Sequence, residues 1–306
     1  MYLLPSIKPY NAFIRMYKRK HDECIHSLPC TFEYGSSKGK KNTIKKDVKL
    51  VNNNVTKEML QIHIRYGHIP MTRIQHMARL KLIEPKFSHC AIPVCPSCLY
   101  SKAIRKPWRH KENTKKKSVN TLHQPGQVVS VDQLISPTPG LIAHMLGKPT
   151  MMRYTSATVY VDQYTDYTYV YLQRTMGAEE TIQGKQSFES MAMTHGVIIK
   201  HYHADNGVFN SHMWRKSCKE NKQGLSFAGV NAHHQNGIAE RKIRFLQDLT
   251  RTNLNHAIRR WPTSITFNLC PYSLRLASEV LNNTPTAKLN YENTSHNVFA
   301  SKLQKE

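Results

Sequence analysis

Residues 127–257 constrain the fold more than any other stretch: three strand-like runs follow one another directly, and helix-like and strand-like runs then alternate. Residues 127–134, 157–162 and 167–173 are rich in Val, Tyr and Thr, the composition of pleated, half-buried strands. The spacing then predicts a helix over 178–194, a strand over 197–203 and a helix over 210–221. A short strand over 225–230 and a long helix over 236–257 complete the series. Adjacent strands followed by strands separated by helices predict an α/β fold, a mixed sheet flanked by helices.

Around this segment the chain divides into a weakly patterned basic stretch (1–53), a His- and Cys-rich module (54–100), a basic linker (101–120), the α/β core (121–260) and a C-terminal extension (261–306). The extension is expected to carry a helix over 271–282. The net charge is +24, which points to a polyanionic partner, nucleic acid first. Its distribution is uneven. Residues 38–49 hold six Lys and one Asp, and residues 101–117 hold eight Lys or Arg and one Glu, whereas residues 120–260 carry 15 basic and 10 acidic residues. Each basic run fits a solubilising tether, a phosphate-backbone contact or a nuclear-localisation signal alike. Neither run has the amphipathic apolar face of an interfacial helix, and no window approaches the roughly 18 apolar residues of a membrane span. No membrane partner is expected.

Seven cysteines, an odd and scattered set, argue for reduced thiols rather than a disulfide framework. Cys95 and Cys98 form a Cys-x2-Cys turn, and His63 and His68 stand upstream with four residues between them. Paired in this way, two nitrogens and two sulfurs suit tetrahedral Zn²⁺, which would staple a segment too short to fold well alone. Ile74, Met77, Leu80 and Leu82 recur at helical spacing and are expected to form a small core. His76, His89 and Cys90 fall outside the ligand pattern and read as packing residues.

Three carboxylates of this segment are candidates for chemistry. Asp132 lies in the apolar run Val128-Val-Ser-Val131; alternation places Val129 and Val131 on one face and Asp132 on the other with Ser130 and Val128. A carboxylate there must be exposed, paired or hold a cation. Asp205 follows the strand over 197–203 and precedes Asn206-Gly207, a turn signal. Glu240 falls in the first turn of the long helix, behind Asn236 as N-cap. Three carboxylates from two strands and a helix suit two Mg²⁺ or Mn²⁺ ions in phosphoryl transfer. Asp162 and Asp166 also sit beside strand patterns, so spacing alone does not single out the three. Along the long helix, Ile243, Leu246, Leu249 and Leu254 make the expected buried stripe. Arg241, Arg244 and Arg251, with Lys242 nearby, form a cationic face, either solvated or a phosphate track.

These residues resemble the integrase region of copia-type LTR retrotransposon polyproteins over about residues 54–290. His63-x-Arg-x-Gly-His68 with Cys95-x2-Cys98 resembles the family's His-His-Cys-Cys pre-integrase zinc module. Val131-Asp132, Ala204-Asp205-Asn206-Gly207 and Gln235-Asn236-Gly237-Ile238-Ala239-Glu240-Arg241-Lys242 resemble its Asp, Asp and Glu motifs, and Glu240 follows Asp205 by 35 residues, the family's interval. The sequence departs from the family at Ile62, where an aromatic residue is often found, and at Val208-Phe209, which lacks a nearby acid.

The resemblance implies an RNase H-like fold whose Asp132, Asp205 and Glu240 bind two catalytic metal ions, preceded by a small helical module with structural zinc on His63, His68, Cys95 and Cys98. Asn236, Arg241, Lys242 and Arg244 would contact nucleic acid. It further implies 3′-end processing and strand transfer of element DNA into target DNA, a homo-oligomer that joins two element ends, and action in the nucleus or cytoplasm, the nucleus foremost. With no protease-like segment before the module and no reverse-transcriptase-like segment after the core, the chain is expected to be a piece or remnant of a polyprotein. The alternative is a catalytically silent, decayed or repurposed nucleic-acid-binding protein.

Overall fold

The computed structural model describes residues 54–103, 122–142, 150–229 and 236–300. The run 38–49, most of the run 101–117, Val230 and Gln235 lie outside the described residues. Three short helices come first, α1 (Asn54–Arg65), α2 (Met71–Arg79) and α3 (Pro96–Ser101). The core follows as β1 (Val129–Leu141), β2 (Arg153–Asp162), β3 (Thr168–Gln173), α4 (Ala178–Thr194), β4 (His201–Ala204), α5 (His212–Glu220), β5 (Gly224–Phe227) and α6 (Gly237–Arg260). α7 (Cys270–Asn282) and α8 (Ser295–Ala300) close the series. No described helix is long and apolar enough to cross a membrane.

The strands form one sheet in the order β3-β2-β1-β4-β5. β1, β2 and β3 pair antiparallel, and β4 and β5 run parallel to β1. Three strands that meander, then two that return through helical crossovers, make the RNase H-like mixed sheet. β1 runs seven residues past the expected end at 134. Its pairing breaks between Ile135 and Gly140, where Pro137 and Pro139 have no N–H to donate, and resumes at Gly140 opposite Tyr154.

The strand expected over 197–203 is laddered only from His201 to Ala204. Val197 and Ile199 are buried, yet the Val197 N–H turns back to Ala192 O and that of Lys200 goes to Gly126 O, so their apolar character serves packing alone. α5 starts two residues later than expected because Ser211 stands at its N-cap and accepts from Trp214 N at 3.4 Å.

Period-2 alternation divides the core between the two faces of the sheet. Val129 and Val131 of β1, Tyr160 of β2 and Tyr202 and Ala204 of β4 point to one face, where Phe188 of α4 and Trp214 of α5 cover them. Leu134, Ala157, Val159, Val161 and Leu172 point to the other, under Ile243, Leu246 and Leu249 of α6 and Leu274, Ala277 and Leu281 of α7. The stripe expected on the long helix is therefore the one buried.

The N-terminal module packs around Met59, Ile69, Ile74, Met77 and Phe87, and Val280 of α7 completes this cluster. Leu80 and Leu82, expected in that core, are exposed at 40% and 59%. α2 ends at Arg79, so the helical spacing that would have turned them inward stops before they are reached. The module is docked on the core rather than tethered to it. Arg251 Nη1 donates to Ser101 O at 2.9 Å, Asn255 Nδ2 to Ser101 Oγ at 2.7 Å, and Arg73 Nη1 to Thr284 Oγ1 at 2.9 Å.

Candidate metal centres and nucleic-acid interface

The histidine pair is set by a turn. Gly67 and His68 both adopt left-handed backbone, φ +62° and +61°, so the chain reverses within two residues of α1. His68 is thereby carried back beside His63. The left-handed φ at Gly67 favours glycine at that position, and Asn253 of α6 stands in ordinary van der Waals contact beside it.

His63 Nδ1 faces Ile69 O at 2.8 Å, which orients the ring and leaves Nε2 to point inward. That nitrogen lies 3.2 Å from Cys98 Sγ and 3.1 Å from His68 Nδ1, and His68 Nδ1 lies 3.5 Å from Cys95 Sγ and 3.6 Å from Cys98 Sγ. All four ligand atoms fall within 4.8 Å of one another. Bonds of about 2.0 Å to nitrogen and 2.3 Å to sulfur give a tetrahedron edges of about 3.3–3.8 Å, and the four separations of 3.1–3.6 Å come close to these.

Hydrogen bonds from Cys98, His63 and His68 outweigh burial and hold the Cys95 thiol far below its ordinary value, while the hydrogen bond to Cys95 and then burial push Cys98 up. Burial lowers His68. His256 of α6 stands against this cluster, its ring 5.0 Å from that of His68 and its Nδ1 3.5 Å from Ser97 Oγ. Burial first, then the charge of His68, lowers it to about 4. No spacing rule reaches His256, because tertiary docking of α3 on α6 creates the contact. Of the residues outside the set, His76 stacks on Tyr291 at 3.8 Å, Cys90 lies 3.7 Å from Thr56 Oγ1, and His89 is exposed.

The carboxylates are arranged by the sheet. β1 and β4 run parallel with Ser130 opposite His203, and two residues further along each chain stand Asp132 and Asp205. Asp132 lies within β1, where alternation turns it away from Val131 toward the face that carries α6, while Asp205 stands just past the end of β4. Both are half-buried. Asn206 Nδ2 donates to Ala228 O at 2.8 Å and fastens the loop after β4 to the end of β5. Gly207 N–H donates to Asp205 Oδ1 at 3.2 Å, and a Cβ at Gly207 would lie 3.3 Å from both carboxylate oxygens.

Asn236 precedes α6, as expected of a cap, but makes no capping bond. Its amide instead donates to Val131 O at 3.2 Å, fixing the start of α6 against the residue before Asp132. Glu240 follows one turn later, half-buried. Asp132, Asp205 and Glu240 are not drawn into a ligand cluster as tight as the His/Cys set, which is the group of that kind found among the described residues.

The two acids that spacing could not set aside have other employment. Asp162 is fully buried and accepts from Gly126 N (2.8 Å), Thr165 N (2.8 Å) and Thr165 Oγ1 (2.7 Å). Burial raises it against these bonds. Asp166 pairs with Lys242 at 2.6 Å. Lys242 thus lies in a cavity, lowered by burial against the pull of Asp166, and Arg251 serves the module interface, whereas Arg241 and Arg244 are exposed.

No protein-family model and no curated protein matches the chain. Among solved structures it is similar to the HTLV-2 integrase catalytic core domain in complex with magnesium. The trimeric form matches at 17% identity and TM-score 0.41, covering 57% of this chain and 97% of that one. The dimeric form matches at 17% identity and TM-score 0.40 with the same coverage. A chain of the simian T-cell lymphotropic virus intasome in complex with PP2A regulatory subunit B56 gamma matches at 17% identity and TM-score 0.42, covering 57% of this chain and 55% of that one.

Proposed function

We propose that the chain is a metal-dependent polynucleotidyl transferase of the retrotransposon-integrase kind, trimming the 3′ ends of element DNA with water and joining the new 3′-hydroxyl to a target phosphodiester. The observation that carries this reading is the parallel pairing of β1 with β4, which pairs Ser130 with His203 two residues before Asp132 and Asp205, together with the Asn236–Val131 bond that ties the start of the Glu240 helix to the residue before Asp132. The employment of Asp162 and Asp166 elsewhere supports the same choice of acids.

Asp132, Asp205 and Glu240 are hard oxygen donors of the type Mg²⁺ or Mn²⁺ takes. Two such ions would activate the attacking oxygen and stabilise the leaving one. The protein's own part is to hold three carboxylates from three elements in fixed relation. Gly207 leaves the Asp205 oxygens unobstructed, and exposed Arg244 lies on the Glu240 flank of α6 to steer a phosphate. His63, His68, Cys95 and Cys98 would hold a structural zinc ion, which would tie α1 to α3. The chain acts on DNA as a homo-oligomer, in the nucleus.

Disintegration of branched DNA tests this reading. The natural chain should resolve the branch in Mg²⁺ or Mn²⁺, and Asp205→Asn should abolish resolution while leaving the melting temperature and DNA binding unchanged. DNA binding without nicking by the natural chain in either metal would favour a silent nucleic-acid-binding protein.

A further inference from the structure

α6 has two flanks. At 3.6 residues per turn, Ile238, Lys242 and Phe245 lie on the side away from Glu240. That side opens into a cavity of about 380 Å³, closed by the β2–β3 turn with Asp162, Gln163 and Asp166, and by Lys288 of the C-terminal extension. Its charge is unbalanced. Arg241, Lys242 and Lys288 line it, and Arg73 of the N-terminal module stands within electrostatic reach of Asp166. Against these cations, Asp162 has its oxygens turned to Gly126 and Thr165, which leaves Asp166 as the facing counter-charge. The Lys242 side chain is only 11% exposed, so water screens this excess poorly. Cations gathered from three separate parts of the chain around one carboxylate form a seat for an anion, and apolar Ile238 and Phe245 beside them suit a sugar or base edge.

We propose that this cavity binds a backbone phosphate of a nucleic-acid strand, as a second contact on the flank of α6 opposite the three carboxylates. The proposal rests on the nucleic-acid reading above, but not on catalysis. Each phosphate neutralised adds about −0.9 to the slope of log affinity against log salt, or about a threefold steeper loss over a fourfold rise in salt.

Fluorescence anisotropy of a labelled DNA duplex, titrated at 50–200 mM NaCl without added divalent metal, measures this directly. Lys288→Ala should make the slope about one unit shallower and weaken binding about threefold or more at low salt. Asp166→Asn should strengthen binding, because it removes the counter-charge while Asn still tolerates the left-handed backbone at that position (φ +67°). Lys219→Ala, on the opposite face of the sheet, should match the natural chain. Inorganic phosphate at millimolar concentration should compete only weakly. Unchanged slopes in both Lys288→Ala and Asp166→Asn would overturn the proposal. So would saturable, Lys288-dependent binding of inorganic phosphate with DNA binding unaltered, since the seat would then serve free anions only. An altered slope in a chain with no strand-transfer activity would uphold the cavity and sink the catalytic reading; the reverse pattern would sink the cavity alone.

Discussion

Asn236 Nδ2 donates to the Val131 carbonyl at 3.2 Å, joining the residue before α6 to the residue before Asp132 across 105 positions of sequence. Through this bond the helix that carries Glu240 is held against the strand that carries Asp132. Asn236 is 2% exposed, so no solvent competes for its amide.

Asn236→Ala should therefore cost about 1–2 kcal/mol of stability, the usual loss for a buried bond with one partner left unmet. Its effect on strand transfer should be larger, tenfold or more, because Glu240 loses its reference to Asp132. Thermal unfolding and a strand-transfer assay on the same preparation separate the two effects.

Metal removal should be felt beyond the module. Arg251 and Asn255 of α6 bond to Ser101 of α3, and Val280 of α7 lies in the module's apolar cluster. The natural chain should contain one zinc ion per molecule, and His63→Ala or Cys98→Ser should lose it. Chelation should then lower the midpoint of a single cooperative unfolding transition. Two transitions, with the upper one unmoved by chelator, would show instead that the module and core are energetically independent.

Acid should weaken the same interface. His256 takes up a proton near pH 6.5 in the unfolded chain but only near 4 in the folded one, because burial and His68 disfavour its charge. The unfolded state binds the extra proton between these values, so stability falls as pH drops from about 6.5 toward 4. His256→Gln should flatten this part of a plot of melting temperature against pH; an equally steep plot would place the acid sensitivity elsewhere.

At Gly207 the limitation is space. A methyl group there would press within 3.3 Å of both Asp205 oxygens. Gly207→Ala should lower metal-dependent activity several-fold while moving the melting temperature by only a few degrees, and raised Mn²⁺ should recover part of the loss.

What could be read in the sequence is what depends on local spacing. The helix over 178–194 is found at those bounds, with Glu179 and Glu180 in its first turn, and the central strands differ mainly at their ends. His63, His68, Cys95 and Cys98 were legible because each pair is bound to one short turn. The selection among acids is not, because it depends on partners distant in sequence: Gly126 donates to Asp162 from 36 residues away, and Lys242 pairs with Asp166 from 76 residues away. For the same reason local spacing puts Lys242 beside the cationic face of the long helix, whereas it lies in a cavity. Leu80 and Leu82 repeat at helical spacing past the end of α2, and periodicity carries no mark of where a helix stops.

The central claim is that three particular carboxylates carry the chemistry, and one assay addresses it most directly. Metal-dependent strand transfer of matching terminal DNA should be compared in the natural chain, Asp132→Asn, Asp205→Asn, Glu240→Gln and Asp166→Asn, all at matched DNA occupancy. The account predicts activity in the natural chain and in Asp166→Asn, and loss of at least about a thousandfold in each of the other three. Activity retained in Asp205→Asn, or lost equally in Asp166→Asn with its fold intact, would contradict it.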